Sequence, residues 1–395
     1  MDEYGIIINC CKSHLGVRDA EEMFLLALKK TIDWDFALSE SSHHETLPFL
    51  YRRLKELNVL EKIPPRAAER MRYVYLHTLF RNELLLEEYG RICRVFADKK
   101  IEHMPLKGAF FLKYLYEDMG LRPMADIDVM VRGGSRGGAG RSLEGDLGYE
   151  KVSGEKDSHE VFFNKKKTVT LELHADMDYP IESPRRIIPP GAWDRAVRIE
   201  KDGILTTRMS REDAMFSLAM HARRVGKIFI MKYLCDMDRL VRKNQDNIDW
   251  DFIAREAKTF RIANLCRALL ASSRGMFFTP VPSGVLGKLQ PGAIKGMVSK
   301  SIVKKALFVK KGETRKQDNY SYLVFYLLTQ DRFFLSLRYV LVMDKERFCK
   351  FFELPDTCGF FMEMCYAARF FYIPFKLAVF CFHGMVTRIK RAMAP

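Results

Sequence analysis

Cysteine pairs, leader segments and long apolar runs are what this sequence has least of. Its nine cysteines in 395 residues include no Cys-x-x-Cys pair. Neither a zinc knuckle nor a disulfide scaffold is therefore expected, and the thiols read as small core residues of a chain from a reducing compartment. His-Glu-x-x-His is missing, as is Gly-x-x-x-x-Gly-Lys-Ser/Thr. The first absence excludes a zincin-type hydrolase and the second a Walker phosphate loop. Serine-hydrolase and thiol mechanisms are not expected either. The opening residues Met-Asp-Glu-Tyr place no basic segment ahead of the short apolar stretch Gly5 to Ile8, so no secretory leader is expected and the cytoplasm is the default location. Phe370 to Val386 is apolar for 17 residues with Lys376 and His383 inside it, short of the ~20 that a membrane-crossing helix needs. A buried helix pair accounts for this stretch, and a helix docked on a membrane surface or a partner is the alternative.

What the chain does have is positive charge and apolar bulk. Its 65 Lys and Arg against 50 Asp and Glu leave +15, and 48% of its residues are hydrophobic. The apolar content excludes wholesale disorder. The charge favours phosphate-rich ligands, nucleic acid or peripheral contact with an anionic membrane.

Three regions differ in pattern. Residues 1–98 read as helical: Leu26, Leu38, Leu50 and Leu54 fit short amphipathic helices, and Ala67 to Phe96 fits one long helix after Pro64-Pro65. Residues 99–204 read as a compact unit of strands and helices. It has an entry strand at Met104 to Leu106, a helix from Gly108 to Met119, a strand at Ile127 to Val131, and strands at Val161 to Phe163 and Thr168 to His174 around a turn. Gly133 to Gly140 is expected to loop before a short helix resumes, because glycine costs up to ~1 kcal/mol per helical position. Residues 205–395 return to helices, expected at Arg208 to Arg224, Ile228 to Val241 and Trp250 to Ser273, with Ser210 and Asp249 as caps. A basic run follows between Lys300 and Lys316.

The sharpest chemical feature is Asp126-Ile127-Asp128 at the start of a strand. Positions i and i+2 of a strand share a face, so the two carboxylates project together, and their repulsion calls for a cation. In Val169-Thr170-Leu171-Glu172-Leu173-His174 the apolar residues take one face, leaving Glu172 as a third carboxylate and His174 as a candidate to hydrogen-bond a carboxylate or the nucleotide, with a strand-end polar residue as its structural role. Three carboxylates suit Mg²⁺, or Mn²⁺, better than zinc. Such an ion can bridge a triphosphate and acidify an attacking hydroxyl. Lys107-Gly108 stands at a strand-to-helix junction, where backbone N–H groups and the helix field favour phosphate. Lys107, Lys113 and Arg122 are candidate triphosphate contacts, Arg122 through a fork with phosphate oxygens. His221, Arg224, Lys232 and Asp236 are candidates to line the nucleotide or acceptor side, with interhelical hydrogen bonding as their structural role.

Leu106-Lys107-Gly108, Tyr114, Arg122, Asp126-Ile127-Asp128 and Leu171-Glu172-Leu173-His174 occur in an order that resembles the uncharacterised nucleotidyltransferase family of the DNA polymerase β superfamily. Trp34 with the helices after it, and His221 with Lys232-Tyr233-Leu234-Cys235-Asp236, extend the likeness over some 300 residues. The resemblance implies an α+β fold, with a mixed-sheet nucleotidyltransferase core flanked by an N-terminal helical bundle and a C-terminal helical region. It also implies Gly108 in the phosphate-binding turn, with metal on Asp126, Asp128 and Glu172. The reaction implied is transfer of a nucleoside monophosphate from a nucleoside triphosphate to a hydroxyl acceptor, releasing pyrophosphate. The acceptor, whether small molecule, sugar, protein or RNA, is left open. A non-catalytic nucleotide or nucleic-acid binder and a membrane-peripheral scaffold are the alternatives. Where the superfamily usually has Gly-Gly or Gly-Ser, this chain has Lys107-Gly108-Ala109.

Overall fold

A computed structural model describes residues 2–14, 32–153, 159–175, 191–201, 203–222 and 230–291, with further positions between 16 and 25 and between 296 and 375. The helix expected around Leu26, Arg224, the start of the helix expected from Ile228, the basic run beyond Gly312 and most of Phe370 to Val386 lie outside the described residues.

The chain opens with helices Asp2–Cys11, Trp34–His43, Leu47–Glu56 and Pro65–Asp98. Local chemistry sets several of their starts. Asp33 accepts the Phe36 N–H at 3.0 Å, and Pro65 fills the first turn of the long helix, where a missing N–H costs nothing. Leu85, Tyr89, Ile92, Cys93 and Phe96 line one side of that helix and are buried. Tyr89 reaches across to Thr206 at 2.8 Å, joining the helical leader to the strand Ile204–Arg208.

The middle region is a mixed five-stranded sheet. Its strands are β1 (His103–Pro105), β2 (Ile127–Val131), β3 (Glu150–Ser153), β4 (His159–Asn164) and β5 (Val169–His174), in the order β1-β2-β5-β4-β3. Only the β2–β5 pair is parallel, and it sets Asp128 directly opposite Glu172. The alternation read in β5 holds, with Val169, Leu171 and Leu173 fully buried. A separate hairpin, β6 (Val197–Lys201) with β7 (Ile204–Arg208), follows. Helices Arg211–His221, Met231–Lys243, Trp250–Thr259 and Ala263–Phe277 then pack on one another, and Arg211–His221 also packs on helix Lys107–Tyr114. The result is a mixed-sheet α+β core with helical regions on both sides in sequence. Among the described residues no helix is long and apolar enough to cross a membrane.

Two expectations are corrected. Trp250 to Ser273 is two helices, because Arg261 takes a left-handed φ of 60° and Ile262 N–H closes back on Ala257 at 2.8 Å. No glycine or proline marks that break. The glycine-rich run is largely helical, over Arg136–Gly145. Ala139 and Leu143 bury their side chains completely there, so packing outweighs propensity.

Asp249 caps the Trp250 helix by accepting the Phe252 N–H at 2.8 Å. Asp249→Ala is expected to destabilise the fold by about 1 kcal/mol in urea unfolding; an unchanged midpoint would remove that cap from the stabilising contacts.

Candidate active site

Strand pairing assembles the carboxylates. Asp128 lies within β2 and is 2% exposed, Asp126 precedes the strand and is half-buried, and Glu172 comes from the neighbouring β5. One carboxylate oxygen from each of the three lies within 4.8 Å of the others. An all-oxygen donor set of this size fits a hard divalent cation such as Mg²⁺ or Mn²⁺.

Two basic groups already face these acids. Lys107 Nζ stands 2.5 Å from Asp128 Oδ1 and 3.3 Å from Glu172 Oε2. His174 Nε2 stands 2.9 Å from the same Asp128 oxygen and 3.3 Å from Glu172. Burial works against ionisation of Asp128, but Lys107 and His174 outweigh it and hold the carboxyl well below its ordinary range. At Glu172 burial is likewise outweighed, chiefly by the hydrogen bond from His174, and its pKa is lowered. Burial pushes His174 down while its two carboxylate partners push it up, and the partners win. The imidazole is therefore held toward its charged form, with Nε2–H donating. Its Nδ1 is buried with no hydrogen-bond partner among the described residues.

The Lys107-Gly108 turn borders this cluster. Lys107 adopts φ 44°, left-handed backbone that costs a non-glycine residue of order 1–2 kcal/mol. Leu106 ties the turn to β2 through its N–H on the Asp128 carbonyl at 3.0 Å, and it opens helix Lys107–Tyr114 without a side-chain cap. Gly108 has no room for a side chain: a Cβ there would sit 2.7 Å from Met124 Cγ and 3.2 Å from an Arg122 guanidinium nitrogen. Gly108→Ala is therefore expected to cost about 1–3 kcal/mol. Urea unfolding measures it, and a loss below ~0.5 kcal/mol would show that Met124 moves aside freely.

Arg122, beside Gly108, and Lys113, His221 and Lys232 are each engaged by other protein groups. The fork expected to meet phosphate meets Asp236 instead, with Arg122 Nε at 2.8 Å and Nη2 at 2.9 Å. Tyr116 donates to the same carboxylate at 2.8 Å. Lys113 is buried with its ammonium 5.8 Å from the centroid of the Tyr89 ring. His221 Nε2 lies 3.2 Å from the Tyr233 hydroxyl, and Lys232 pairs with Glu45. Burial, together with the nearby Arg122 charge, depresses the Lys232 pKa.

His159 is the neighbour that sequence reasoning misses. Its ring stacks on His174 at 5.1 Å, and its Nε2 lies 3.9 Å from Glu172 Oε1. The hairpin register pairs Asn164 with Val169 and so His159 with His174; counting outward from the turn would have found it. Gly133-Gly134-Ser135-Arg136-Gly137 spells the Gly-x-Ser-x-Gly of a nucleophile elbow, contrary to the expectation that no serine-hydrolase signature is present. Ser135 has φ −88° and ψ −7°, ordinary right-handed backbone at a helix start, so it lacks the strained turn an elbow requires.

A family model described as "Uncharacterised nucleotidyltransferase" matches residues 30–277. Among solved structures, the chain is similar to the crystal structure of an antigenic nucleotidyltransferase-like protein from Paracoccidioides brasiliensis. The two are 16% identical over 52% of this chain and 93% of that one, with a TM-score of 0.34, and at that score the likeness carries no argument. No curated protein matches the chain.

Proposed function

Because the chain belongs to the uncharacterised nucleotidyltransferase family, we propose that it transfers a nucleoside monophosphate from a nucleoside triphosphate to a hydroxyl acceptor. The observation that carries this reading is the in-register pairing of Asp128 with Glu172 beside Asp126 and the Lys107-Gly108 turn. Asp126, Asp128 and Glu172 would hold Mg²⁺ or Mn²⁺, which when bound supplies charge neutralisation for the triphosphate and acidity for the acceptor hydroxyl.

The remaining work falls to the chain itself. Lys107 and the uncapped helix start beside it receive phosphate oxygens, where the backbone dipoles favour negative charge. Glu172 is the more exposed member of the paired carboxylates and accepts the acceptor's proton. The acceptor oxygen bonds to the α-phosphorus, the bond from that phosphorus to the bridging oxygen breaks, and pyrophosphate leaves with the electron pair. His174 donates Nε2–H to both carboxylates and so fixes their orientation. Arg122 acts through Asp236, holding the wall behind Gly108. Lys113, His221 and Lys232 belong to the frame that supports the nucleotide side.

The acceptor class is open to direct test. Incubating the protein with each α-labelled nucleoside triphosphate, Mg²⁺ and fractionated small molecules, protein or RNA should label one fraction, and Glu172→Gln should abolish that labelling. Labelling that is equal with Glu172→Gln would contradict the assignment.

A further inference from the structure

A second site lies away from the carboxylate centre. Helices Asp2–Cys11, Leu47–Glu56 and Met231–Lys243 and the turn at 115–121 enclose a cleft of about 900 Å³, within the size range of small-molecule sites. Lys107, Asp126, Asp128 and Glu172 are not among its lining residues.

The cleft wall carries five basic side chains, Arg52, Arg53, Arg239, Arg242 and Lys243, against the three carboxylates Glu56, Glu117 and Asp118, and with Asp238 beside Arg242 the surplus is one positive charge. Two of the three acids, Glu56 and Asp118, are engaged within the wall, and Glu117 is exposed. Glu56 pairs with Arg52 at 3.4 Å and Arg53 at 2.9 Å, and Asp118 pairs with Arg52 at 3.1 Å while accepting the Tyr75 hydroxyl at 3.0 Å. Arg242 is held by Asp238 at 2.9 Å.

Arg239 and Lys243 are the two of the wall's five basic side chains that make no ion pair among the described residues. Arg239 lies over the rings of Phe49 and Tyr116, 5.0 and 4.8 Å from their centroids, and among the described residues donates only to the Cys11 and Cys235 carbonyls at 3.4 Å. Asp238, the acid nearest to balancing it, already serves Arg242, Ser13 and Thr279. Lys243 is exposed and makes no ion pair among the described residues. A guanidinium held on two aromatic rings has its orientation fixed before a ligand arrives, which lowers the ordering cost of binding.

We propose that this cleft binds phosphate monoesters. A monoester is anionic, and its oxygens suit the fork of Arg239 with Lys243 as a point charge. A nucleoside monophosphate and a sugar phosphate share this chemistry, and both fit the volume.

The test is calorimetric titration of the full chain with AMP and with glucose 6-phosphate, in chelator so that divalent cations do not contribute. At least one should bind saturably to wild type, and Lys243→Glu should weaken that binding tenfold or more. Arg239→Gln should do the same if it folds. Asp128→Asn should leave the affinity unchanged, as should Lys258→Glu, a charge reversal at an exposed position outside the cleft lining. Binding of both compounds means that the phosphate alone is recognised, and binding of one means that its sugar or base is read as well. Failure of both to bind would overturn the proposal. So would an equal loss with Lys258→Glu, or a loss with Asp128→Asn that Lys243→Glu does not share.

Discussion

Asp128→Asn is expected to lower nucleotide transfer by at least about a thousandfold, equivalent to about 4 kcal/mol of barrier. Asp128 is the only one of the three acids that is almost completely buried, and its Oδ1 is the oxygen shared by Lys107 and His174. Asparagine removes the charge that a divalent cation and Lys107 both require, and it places an N–H₂ donor beside two other donors. Lys107 keeps Glu172 at 3.3 Å, so the fold should survive with a lowered midpoint. Single-turnover transfer and thermal unfolding on the same sample separate the two effects. Activity within tenfold of wild type in a folded variant would remove Asp128 from the chemistry.

The second large effect concerns stability. Asp236→Ala is expected to cost about 3–5 kcal/mol, because it leaves the Arg122 guanidinium buried without its carboxylate. Arg122 is 2% exposed, two of its three donor nitrogens, Nε and Nη2, face Asp236, and Tyr116 loses its acceptor in the same step. The variant Arg122→Met/Asp236→Ala should recover part of that loss by removing the stranded charge along with its partner. Urea unfolding of the set measures it. A loss below about 1 kcal/mol for Asp236→Ala would show that water reaches the guanidinium.

How much of this was legible in the sequence depended on the range over which each feature is determined. The period-two alternation of Val169, Leu171 and Leu173 is local, and it placed Glu172 and His174 correctly on the opposite face. The caps at Ser210 and Asp249 were legible for the same reason. The register that sets Asp128 against Glu172 is not local, since parallel strands 44 positions apart carry no turn to fix their offset. Arg122 shows the limit more sharply. Its partner Asp236 lies 114 positions away, so spacing could not separate a phosphate contact from a buried structural fork. The helix over Arg136–Gly145 was misjudged because propensity is a weak prior where Ala139 and Leu143 can be fully buried.

The most direct measurement is calorimetric titration of each of the four nucleoside triphosphates into wild type and into Asp126→Asn/Asp128→Asn, with Mg²⁺ and again with chelator. The expected result is saturable, Mg²⁺-dependent binding of at least one nucleotide to wild type, lost in the double variant and in chelator. Binding that persists equally in the double variant, or no binding of any nucleotide to the folded wild-type protein, would contradict a carboxylate-held triphosphate site.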